Sequence, residues 1–294
     1  MIYLKPYIKL ARPHQYVKNI FLWLPLFFGY RLVDKAVIIP TLLAFIAFCF
    51  IASAVYSIND VMDVKEDCRH PKKRHRPVAN GDISPKKAIL YSIVLSLAAI
   101  VISMVGVSNY FLIFIGIYLV MNIAYSTSLK HIAILDVVLV SFSYVIRVAA
   151  GGFASGLVVS HWLYIMTFLL ALFIAFAKRR DDLLLAEDGN ATRKSIDGYN
   201  RDFLLSAMVL LSAVLIVSYI LYTVSPSVME KHGSNHLYIT AFWVVLGLLR
   251  YLQVTFVGQN SGSPVRLLLS DKFLQISIMG WLLTFYILLY VPGI

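Results

Sequence analysis

The sequence predicts an all-α, polytopic membrane protein. Hydrophobic residues make up 60% of the 294-residue chain and charged residues only 14%, with a mean hydropathy of +0.79, which leaves too little polar surface for a water-soluble globule. Nine apolar stretches are long enough to cross a hydrocarbon core of roughly 30 Å. They lie at residues 18–33, 36–58, 88–107, 110–127, 132–150, 161–177, 203–224, 237–257 and 273–292. We expect one transmembrane domain, residues 1–294.

The distribution of Lys and Arg predicts the orientation of these spans. Cytoplasmic loops of membrane proteins carry an excess of basic residues. With a cytoplasmic N-terminus, most of the 26 Lys and Arg residues face the cytoplasm, and the opposite side receives only Arg31, Lys35 and Lys231. The expected location is a bacterial-type inner or plasma membrane. The net charge of +11 then reflects topology and anionic lipids or substrates, and not nucleic acid.

Residues 7–19 form an amphipathic segment that leads into the first span. Alternatively, this segment only anchors the protein at the membrane interface through its Lys and Arg side chains. Span two runs without interruption into an acidic segment, and Pro71 and Pro77 are expected to end that helix. Spans three and four are joined by a minimal turn at residues 108–109. The glycine pair at 151–152 is expected to break span five.

Span five also carries two ionisable residues, Asp136 and Arg147. Ionisable groups inside a membrane are costly, so they are functional candidates by default. Both lie within a few turns of a span end, so they could equally snorkel or pair with other protein groups. The sequence leaves their role open.

The acidic segment after span two is the strongest candidate site. Asn59, Asp63 and Asp67 recur at i, i+4 and i+8, which places them on one face of a continuing helix. Such oxygen-rich side chains are expected to repel one another when empty, and hard oxygen ligands suit Mg²⁺. A solvated acidic helix end is the alternative. The basic residues that follow at once favour a metal-complexed diphosphate; they are Lys72, Lys73, Arg74 and Arg76.

Two further cytoplasmic loops carry charge, and with residues 59–87 they form the expected active-site loops. Residues 178–202 begin with a charged run that includes Lys178, Arg179 and Asp182, and Arg193 and Lys194 follow after a turn. Most of the chain's 15 acidic residues fall in residues 59–87 and 178–202, which solvation alone does not explain. Residues 128–131 contain a lone lysine, and such a residue at a span end is usually a membrane anchor.

The residues carry a resemblance to a known family. The run Asn59-Asp60-x-x-Asp63-x-x-x-Asp67, the basic segment 73–81 and a charged loop after span six resemble the UbiA superfamily of intramembrane prenyltransferases. The motifs at residues 12–19, 67–71, 125–131, 147–152, 178–179 and 193–195 are similar to the branch typified by decaprenyl-phosphate phosphoribosyltransferases. A second Asp-x-x-x-Asp motif, present in aromatic prenyltransferases, is missing, and Asp182 stands where the branch has Glu.

The resemblance implies a Mg²⁺-dependent transfer of phosphoribose from phosphoribosyl pyrophosphate to a polyprenyl phosphate. Asn59, Asp63 and Asp67 would hold Mg²⁺, with Asp60 as a supporting or ribose contact, and the expected catalytic set is Asp60, Asp63, Asp67 and Asp182. The expected substrate-binding residues are Lys18, Asn19, Lys73, Arg74, Arg76, Tyr125, Lys130, Lys178, Arg179, Arg193 and Lys194. Whether Lys18 and Lys130 contact the donor or the acceptor phosphate stays open.

Two other functions compete with this interpretation. One is prenyl transfer from a polyprenyl diphosphate to an aromatic or other small acceptor. The other is a non-catalytic transporter or lipid-binding protein, which the position of the acids on one membrane face, and not at mid-membrane, disfavours. Oligomeric state and polyprenol length are not encoded in any recognisable pattern.

Overall fold

The computed structural model describes residues 4–69, 73–187, 194–257, 267 and 270–290. Within these ranges all regular secondary structure is helical, which confirms the predicted all-α class. Seven helices are long and apolar enough to cross a membrane, and a shorter apolar helix covers residues 272–288. The count of nine spans and the cytoplasmic N-terminus stay predictions.

The chain divides into two compact units, one of residues 1–164 and 185–198 and the other of residues 165–184 and 199–294. The prediction of one transmembrane domain is not tested by this division. The helices of the first unit are α1 (Lys5–Ala11), α2 (Leu24–Phe28), α3 (Lys35–Met62), α4 (Val64–Arg69), α5 (Pro85–Gly106), α6 (Leu112–Thr127) and α7 (Leu135–Ser155). Helix α8 (His161–Glu187) begins and ends in this unit, and its residues 165–184 belong to the second.

Helix α3 is the centre of the first unit. Asp34 caps its N-terminus by accepting a hydrogen bond from the Ala36 amide at 3.0 Å. Small residues along α3, such as Ala44 and Ala47, are fully buried and allow neighbouring helices to approach closely. Phe48 fills the centre of this core and packs against Phe111 of the turn before α6, with ring centroids 6.0 Å apart. The core therefore fixes α3, whose C-terminal end carries the acidic segment.

The first predicted span, residues 18–33, differs from the structure. Residues Pro13–Trp23 form a 3₁₀ helix, the short helix α2 follows, and the chain turns at Gly29 and Tyr30. Pro25 lies at the start of α2, where proline is tolerated, and Tyr30 has a positive φ of 56° that ends the helical path. Hydropathy detected an apolar segment here, but it did not reveal this break in the backbone.

The expected helix break at residues 151–152 is wrong, because α7 continues to Ser155. A Cβ atom on Gly151 would lie 2.1 Å from the backbone oxygen of Leu22. Glycine is therefore needed here for close packing against the Pro13–Trp23 helix, and not for a turn. Gly156, which has a φ of +66°, is the residue that ends α7.

The second unit contains residues 165–184 of α8 and four further helices. These are α9 (Arg201–Thr223), α10 (Pro226–His232), α11 (Ala241–Phe256) and α12 (Lys272–Tyr290). Polar contacts join them: Trp243 donates to Thr284 at 2.9 Å, and Trp281 donates to the Tyr219 hydroxyl at 2.6 Å. The predicted loop at 178–202 is partly wrong, because residues 178–187 extend α8; the helix-favouring run of leucines at 183–185 explains the extension.

Candidate functional site

The acidic segment lies where α3 ends and α4 begins. Asp63 occupies the junction, and its amide donates to the Asn59 carbonyl at 2.9 Å, while the Asp67 amide donates to the Asp63 carbonyl at 2.8 Å. The helical hydrogen-bond pattern thus crosses the junction. Asp60, Asp63 and Asp67 are only 1%, 8% and 2% exposed. Burial of three carboxylates requires compensating partners, since an isolated buried charge is very costly.

Two arginines provide partners for Asp60 and Asp67. Arg12 forms an ion pair with Oδ1 of Asp60. Nη1 of Arg76 lies 2.6 Å from Oδ2 of Asp67 and 3.2 Å from Oδ1 of Asp60, so one guanidinium bridges both carboxylates. Oδ2 of Asp60 is buried and has no hydrogen-bond partner within the described structure. Asp60 and Asp67 are therefore linked through a shared cation.

Lys130 and Asn59 provide partners for Asp63. The Lys130 ammonium forms a buried ion pair with Oδ1 of Asp63. The side-chain Nδ2 of Asn59 donates to Oδ2 of Asp63 at 3.0 Å, and the Ser126 hydroxyl donates to the side-chain Oδ1 of Asn59 at 3.1 Å. Lys130 follows α6 in a short 3₁₀ turn, so two separate parts of the first unit meet at this point. Its position beside a carboxylate argues against a simple membrane anchor.

In this structure cations offset the expected mutual repulsion of the carboxylates. Each of Asp60, Asp63 and Asp67 has a cationic partner, and the cations match them in number. We name these six residues the paired cluster: Asp60, Asp63, Asp67, Arg12, Arg76 and Lys130. Arg12 was not predicted as a site residue, because it lies 48 positions from Asp60 in the chain and only the fold brings the two together. Ser126 was missed for the same reason.

Lys18 and Asn19 lie on the Pro13–Trp23 helix. Lys18 is half-buried. The pKa of His14 lies below its usual value, mainly because of desolvation and to a lesser extent because of the positive charges of Arg12 and Lys18. Asn19 is almost fully buried, donates to Cys49 at 3.2 Å and accepts from Arg147 at 2.8 Å. The structure therefore places the Asn19 amide in the protein core, where it is bonded to protein groups on both sides.

Arg147 is a buried arginine inside α7. Besides Asn19, its guanidinium donates to the Ser143 carbonyl at 2.6 Å and to the Tyr118 hydroxyl at 2.9 Å. It also lies over the Tyr118 and Tyr144 rings, at 4.8 and 5.5 Å from their centroids. These contacts are those of a cation stabilised by hydrogen bonds and aromatic faces within a span. Arg147 therefore holds the Pro13–Trp23 helix against α7.

Asp136, at the start of α7, is fully buried and accepts a hydrogen bond from Ser195 at 3.2 Å. Ser195 belongs to the 3₁₀ helix Lys194–Gly198, which packs beside Ala133. Asp136 thus anchors the end of the second charged loop within the first unit. Neither Asp136 nor Arg147 snorkels.

The remaining predicted residues of the first unit are half-buried, exposed or outside the described residues. Lys73 and Arg74 form part of the 3₁₀ turn Lys73–His75, and Arg74 is exposed and donates to His75 at 3.4 Å. Tyr125 lies near the end of α6. Lys72, Arg193 and the side chain of Lys194 lie outside the described residues.

Lys178, Arg179 and Asp182 lie on α8 in the second unit. Lys178 is exposed, whereas Arg179 is buried and forms an ion pair with Asp182 one turn further along the helix. The guanidinium of Arg180 lies over the Phe256 ring, 5.0 Å from its centroid. Of the expected phosphate ligands on this helix, Lys178 is the one that is exposed.

Comparison with known proteins defines the class. The sequence profile of the UbiA prenyltransferase family matches residues 22–257. A UbiA homologue from Archaeoglobus fulgidus, bound to DMAPP and Mg²⁺, has a TM-score of 0.72 to this chain at 18% identity, covering 97% of this chain and 99% of that one. This structural similarity, at such low sequence identity, shows that the chain has the same fold. This chain belongs to the UbiA prenyltransferase family and is a membrane-embedded, multi-pass transferase.

Two curated relatives narrow the comparison. The decaprenyl-phosphate phosphoribosyltransferase of Corynebacterium glutamicum is 32% identical and covers 97% of this chain and 86% of that protein. The protein of the same name from Mycolicibacterium smegmatis is 33% identical and covers 94% of this chain and 89% of that protein. The similarity thus includes both units described above.

The donor set of the acidic segment fits Mg²⁺. Within the described ranges, no three Asp, Glu, His or Cys side chains are grouped so that they could hold an ion alone. Mg²⁺, however, usually takes one or two carboxylates and completes its shell with water and substrate phosphates. Asp63, Asp67 and the Asn59 amide oxygen supply hard oxygen ligands of this kind. The residues present therefore suit a metal ion that arrives with a phosphate ligand.

Proposed function

We propose that the protein transfers a 5-phosphoribosyl group from phosphoribosyl pyrophosphate to a polyprenyl phosphate of the decaprenyl type and releases pyrophosphate. The observation that carries the proposal is the similarity, at 32–33% identity along nearly the whole chain, to decaprenyl-phosphate phosphoribosyltransferases. The paired cluster supports it, since Arg76 and Lys130 pair with Asp67 and Asp63, the carboxylates that fit Mg²⁺.

The chemistry of the leaving group requires cations more than it requires a base. Departure of pyrophosphate from an anomeric carbon gives an oxocarbenium-like transition state, and negative charge develops on the diphosphate. Mg²⁺ bound by Asn59, Asp63 and Asp67 would supply Lewis-acid neutralisation of that charge. Arg76 and Lys130 would donate to diphosphate oxygens, because charge-assisted hydrogen bonds to phosphate are among the stronger ones.

The acceptor needs little activation. A phosphate monoester has a second pKa of about 6, so it is largely a dianion at neutral pH and already a nucleophile. The site accordingly needs no serine or histidine nucleophile. Lys18 on the Pro13–Trp23 helix is half-buried and is our candidate for a contact to the acceptor phosphate or the donor 5-phosphate.

The 5-phosphate distinguishes this donor from a prenyl diphosphate. It requires additional cations, and the second charged segment provides Lys178, Arg193 and Lys194 in place of a second Asp-x-x-x-Asp motif. We place the site on the cytoplasmic side of a bacterial plasma membrane, because the positive-inside rule assigns the basic loops to that side.

A transfer assay in isolated membranes tests the proposal. Membranes containing the protein are incubated with Mg²⁺, a polyprenyl phosphate and phosphoribosyl pyrophosphate labelled in the ribose. Label should enter the solvent-extractable lipid, and Asp63→Ala membranes with equal protein content should give none. Absence of labelled lipid, together with prenylation of 4-hydroxybenzoate from a prenyl diphosphate, would instead establish the prenyltransferase alternative.

A further inference from the structure

The paired cluster is neutral when its six side chains are ionised. Asp60, Asp63 and Asp67 face Arg12, Arg76 and Lys130, and every carboxylate contacts at least one cation. A divalent ion that enters this cluster alone would leave a displaced arginine or lysine next to a new positive charge. Like charges at this distance disfavour each other, especially when they are partly removed from water. Metal alone is therefore a poor ligand for the cluster.

We propose that loading of the site is an exchange of ion pairs, in which Arg76 and Lys130 move from the carboxylates to the diphosphate, while Arg12 stays on Asp60. Metal and diphosphate then bind together, because the anion receives the cations that the metal displaces. Arg12 acts as a positioning residue that keeps Asp60 out of metal coordination. The inference rests on the proposed diphosphate site, but not on which donor carries the diphosphate.

The structure separates the fixed pair from the exchangeable ones. The backbone next to Arg12 is fixed to α3, since the Ala11 carbonyl accepts a hydrogen bond from the Ser53 hydroxyl at 2.8 Å. The Arg12 guanidinium lies over the Tyr56 ring, 5.1 Å from its centroid. Arg12 adopts a left-handed backbone conformation with a φ of 55°, and it starts the Pro13–Trp23 helix. Movement of Arg12 would therefore disturb the packing of α1 and the 3₁₀ helix on α3.

Arg76 and Lys130 are held less firmly. Arg76 follows the short turn Lys73–His75, and its Nη1 is shared unequally between two carboxylates, at 2.6 and 3.2 Å. Lys130 lies in a three-residue turn and has a flexible side chain with a single ammonium group. Their departure would free Asp67 and Asp63 as ligands, while Arg12 would still neutralise Asp60.

Manganese binding to the purified full-length protein in detergent tests the exchange. Free Mn²⁺ is measured by electron paramagnetic resonance, without and with inorganic pyrophosphate. Lys130→Met should tighten the binding of Mn²⁺ alone by about tenfold, because Asp63 is released, and should weaken the binding of the manganese–pyrophosphate complex by about tenfold. The matched control is Lys65→Met, which removes an exposed lysine near the same carboxylate. Equal tightening in both variants, or none in Lys130→Met, would overturn the exchange.

Two arms test the role of Arg12 by the same measurement. Arg12→Gln should tighten the binding of Mn²⁺ alone, addition of Asp60→Asn should abolish the gain, and Arg12→Lys should behave as wild type. If Arg12→Gln does not fold, two single substitutions test whether Asp60 is a metal ligand. Asp60→Asn should weaken manganese–pyrophosphate binding less than threefold, and Asp63→Asn should weaken it more than tenfold. A loss in Asp60→Asn equal to that in Asp63→Asn would make Asp60 a metal ligand and contradict the role given to Arg12.

Because pyrophosphate is common to both candidate donors, these results are independent of the donor's identity. If phosphoribosyl pyrophosphate is not a substrate but the manganese results hold, the proposed function fails and the exchange stands. If label transfer occurs but Lys130→Met does not alter Mn²⁺ binding, the exchange fails and the function stands.

Discussion

Asp63 and Lys130 stabilise the protein only as a pair. Their contact is nearly inaccessible to solvent, so removal of one partner leaves a buried charge without compensation. Sequence reasoning based on repelling carboxylates predicts that Asp63→Ala raises stability slightly. The ion pair with Lys130 predicts the opposite change in stability, because the Asp63 carboxylate is compensated by a cation.

We therefore expect Asp63→Ala to lower the free energy of unfolding by roughly 3 kcal/mol and to abolish Mg²⁺-dependent transfer. The double variant Asp63→Leu/Lys130→Met removes both charges, so it should recover most of the stability but none of the activity. Thermal unfolding in detergent and the membrane transfer assay provide the two readouts. A single variant as stable as wild type would show that the pair is not formed.

His232 gives a prediction for pH dependence. Burial, and to a lesser extent Lys231, lowers the pKa of His232 to about 4, and its Nε2 lies 3.3 Å from the Tyr222 hydroxyl. The unfolded chain, with a histidine pKa near 6.5, binds more protons between these values, so stability is complete above about pH 6.5 and falls toward pH 4. Melting temperatures at pH 5 and 7.5 should differ less in His232→Gln than in wild type, whereas identical pH dependence would contradict the shift.

At the scale of elements, glycine acts in two ways that sequence alone does not distinguish. Gly151 was expected to end a helix, yet it lies inside α7 at a close approach to the Leu22 backbone. Gly156, five residues later, ends the helix through its positive φ. A single sequence shows a glycine pair, but whether that pair bends the backbone or admits a neighbour depends on tertiary packing.

Gly151→Ala should therefore destabilise the protein by about 1–3 kcal/mol, the usual cost of overpacking. Gly116→Ala is the matched control, since no atom beyond the adjacent residues and the local backbone of α6 lies within 4 Å of the added Cβ, and it should be neutral or slightly stabilising. The measurement is thermal unfolding of both variants in the same detergent. Equal melting temperatures would rule out the close contact between α7 and the Pro13–Trp23 helix.

Helix boundaries followed hydropathy where apolar runs ended in polar residues. Helix α12 begins at Lys272 and α9 at Arg201, within two residues of the predicted span starts. Predictions failed where helical residues continued beyond the apolar run, as in α8, and where proline and a positive φ interrupted it, as between Pro25 and Tyr30. Hydropathy reports transfer into lipid, and it does not report backbone conformation.

At the scale of the molecule, the acidic segment and its adjacent arginine could be predicted because their residues are close in the chain. The i, i+4 spacing connected Asn59 to Asp63, and Arg76 follows Asp67 after nine residues. The contribution of Arg12, Ser126 and Arg147 depends on contacts between distant segments. One sequence without relatives carries no signal for such pairs, so the cation that compensates Asp60 became evident only from the fold.

The predicted orientation can be tested with the two cysteines. Cys68, at the end of the acidic segment, is exposed, whereas Cys49 is buried in α3. A membrane-impermeant maleimide should label the protein in inverted membrane vesicles but not in intact spheroplasts, and Cys68→Ser should remove the label. Labelling in spheroplasts would place the acidic segment outside and contradict the cytoplasmic site.

The donor is the central claim, and initial rates measure it most directly. Purified protein, a polyprenyl phosphate, an aromatic acceptor and Mg²⁺ are assayed against increasing phosphoribosyl pyrophosphate and, in parallel, a prenyl diphosphate. We predict saturable turnover with phosphoribosyl pyrophosphate and a ten- to hundredfold loss of donor use in Lys178→Ala, because a hydrogen bond to a charged phosphate contributes about 1.5–3 kcal/mol. Saturable turnover with the prenyl diphosphate alone, unchanged in Lys178→Ala, would contradict the account.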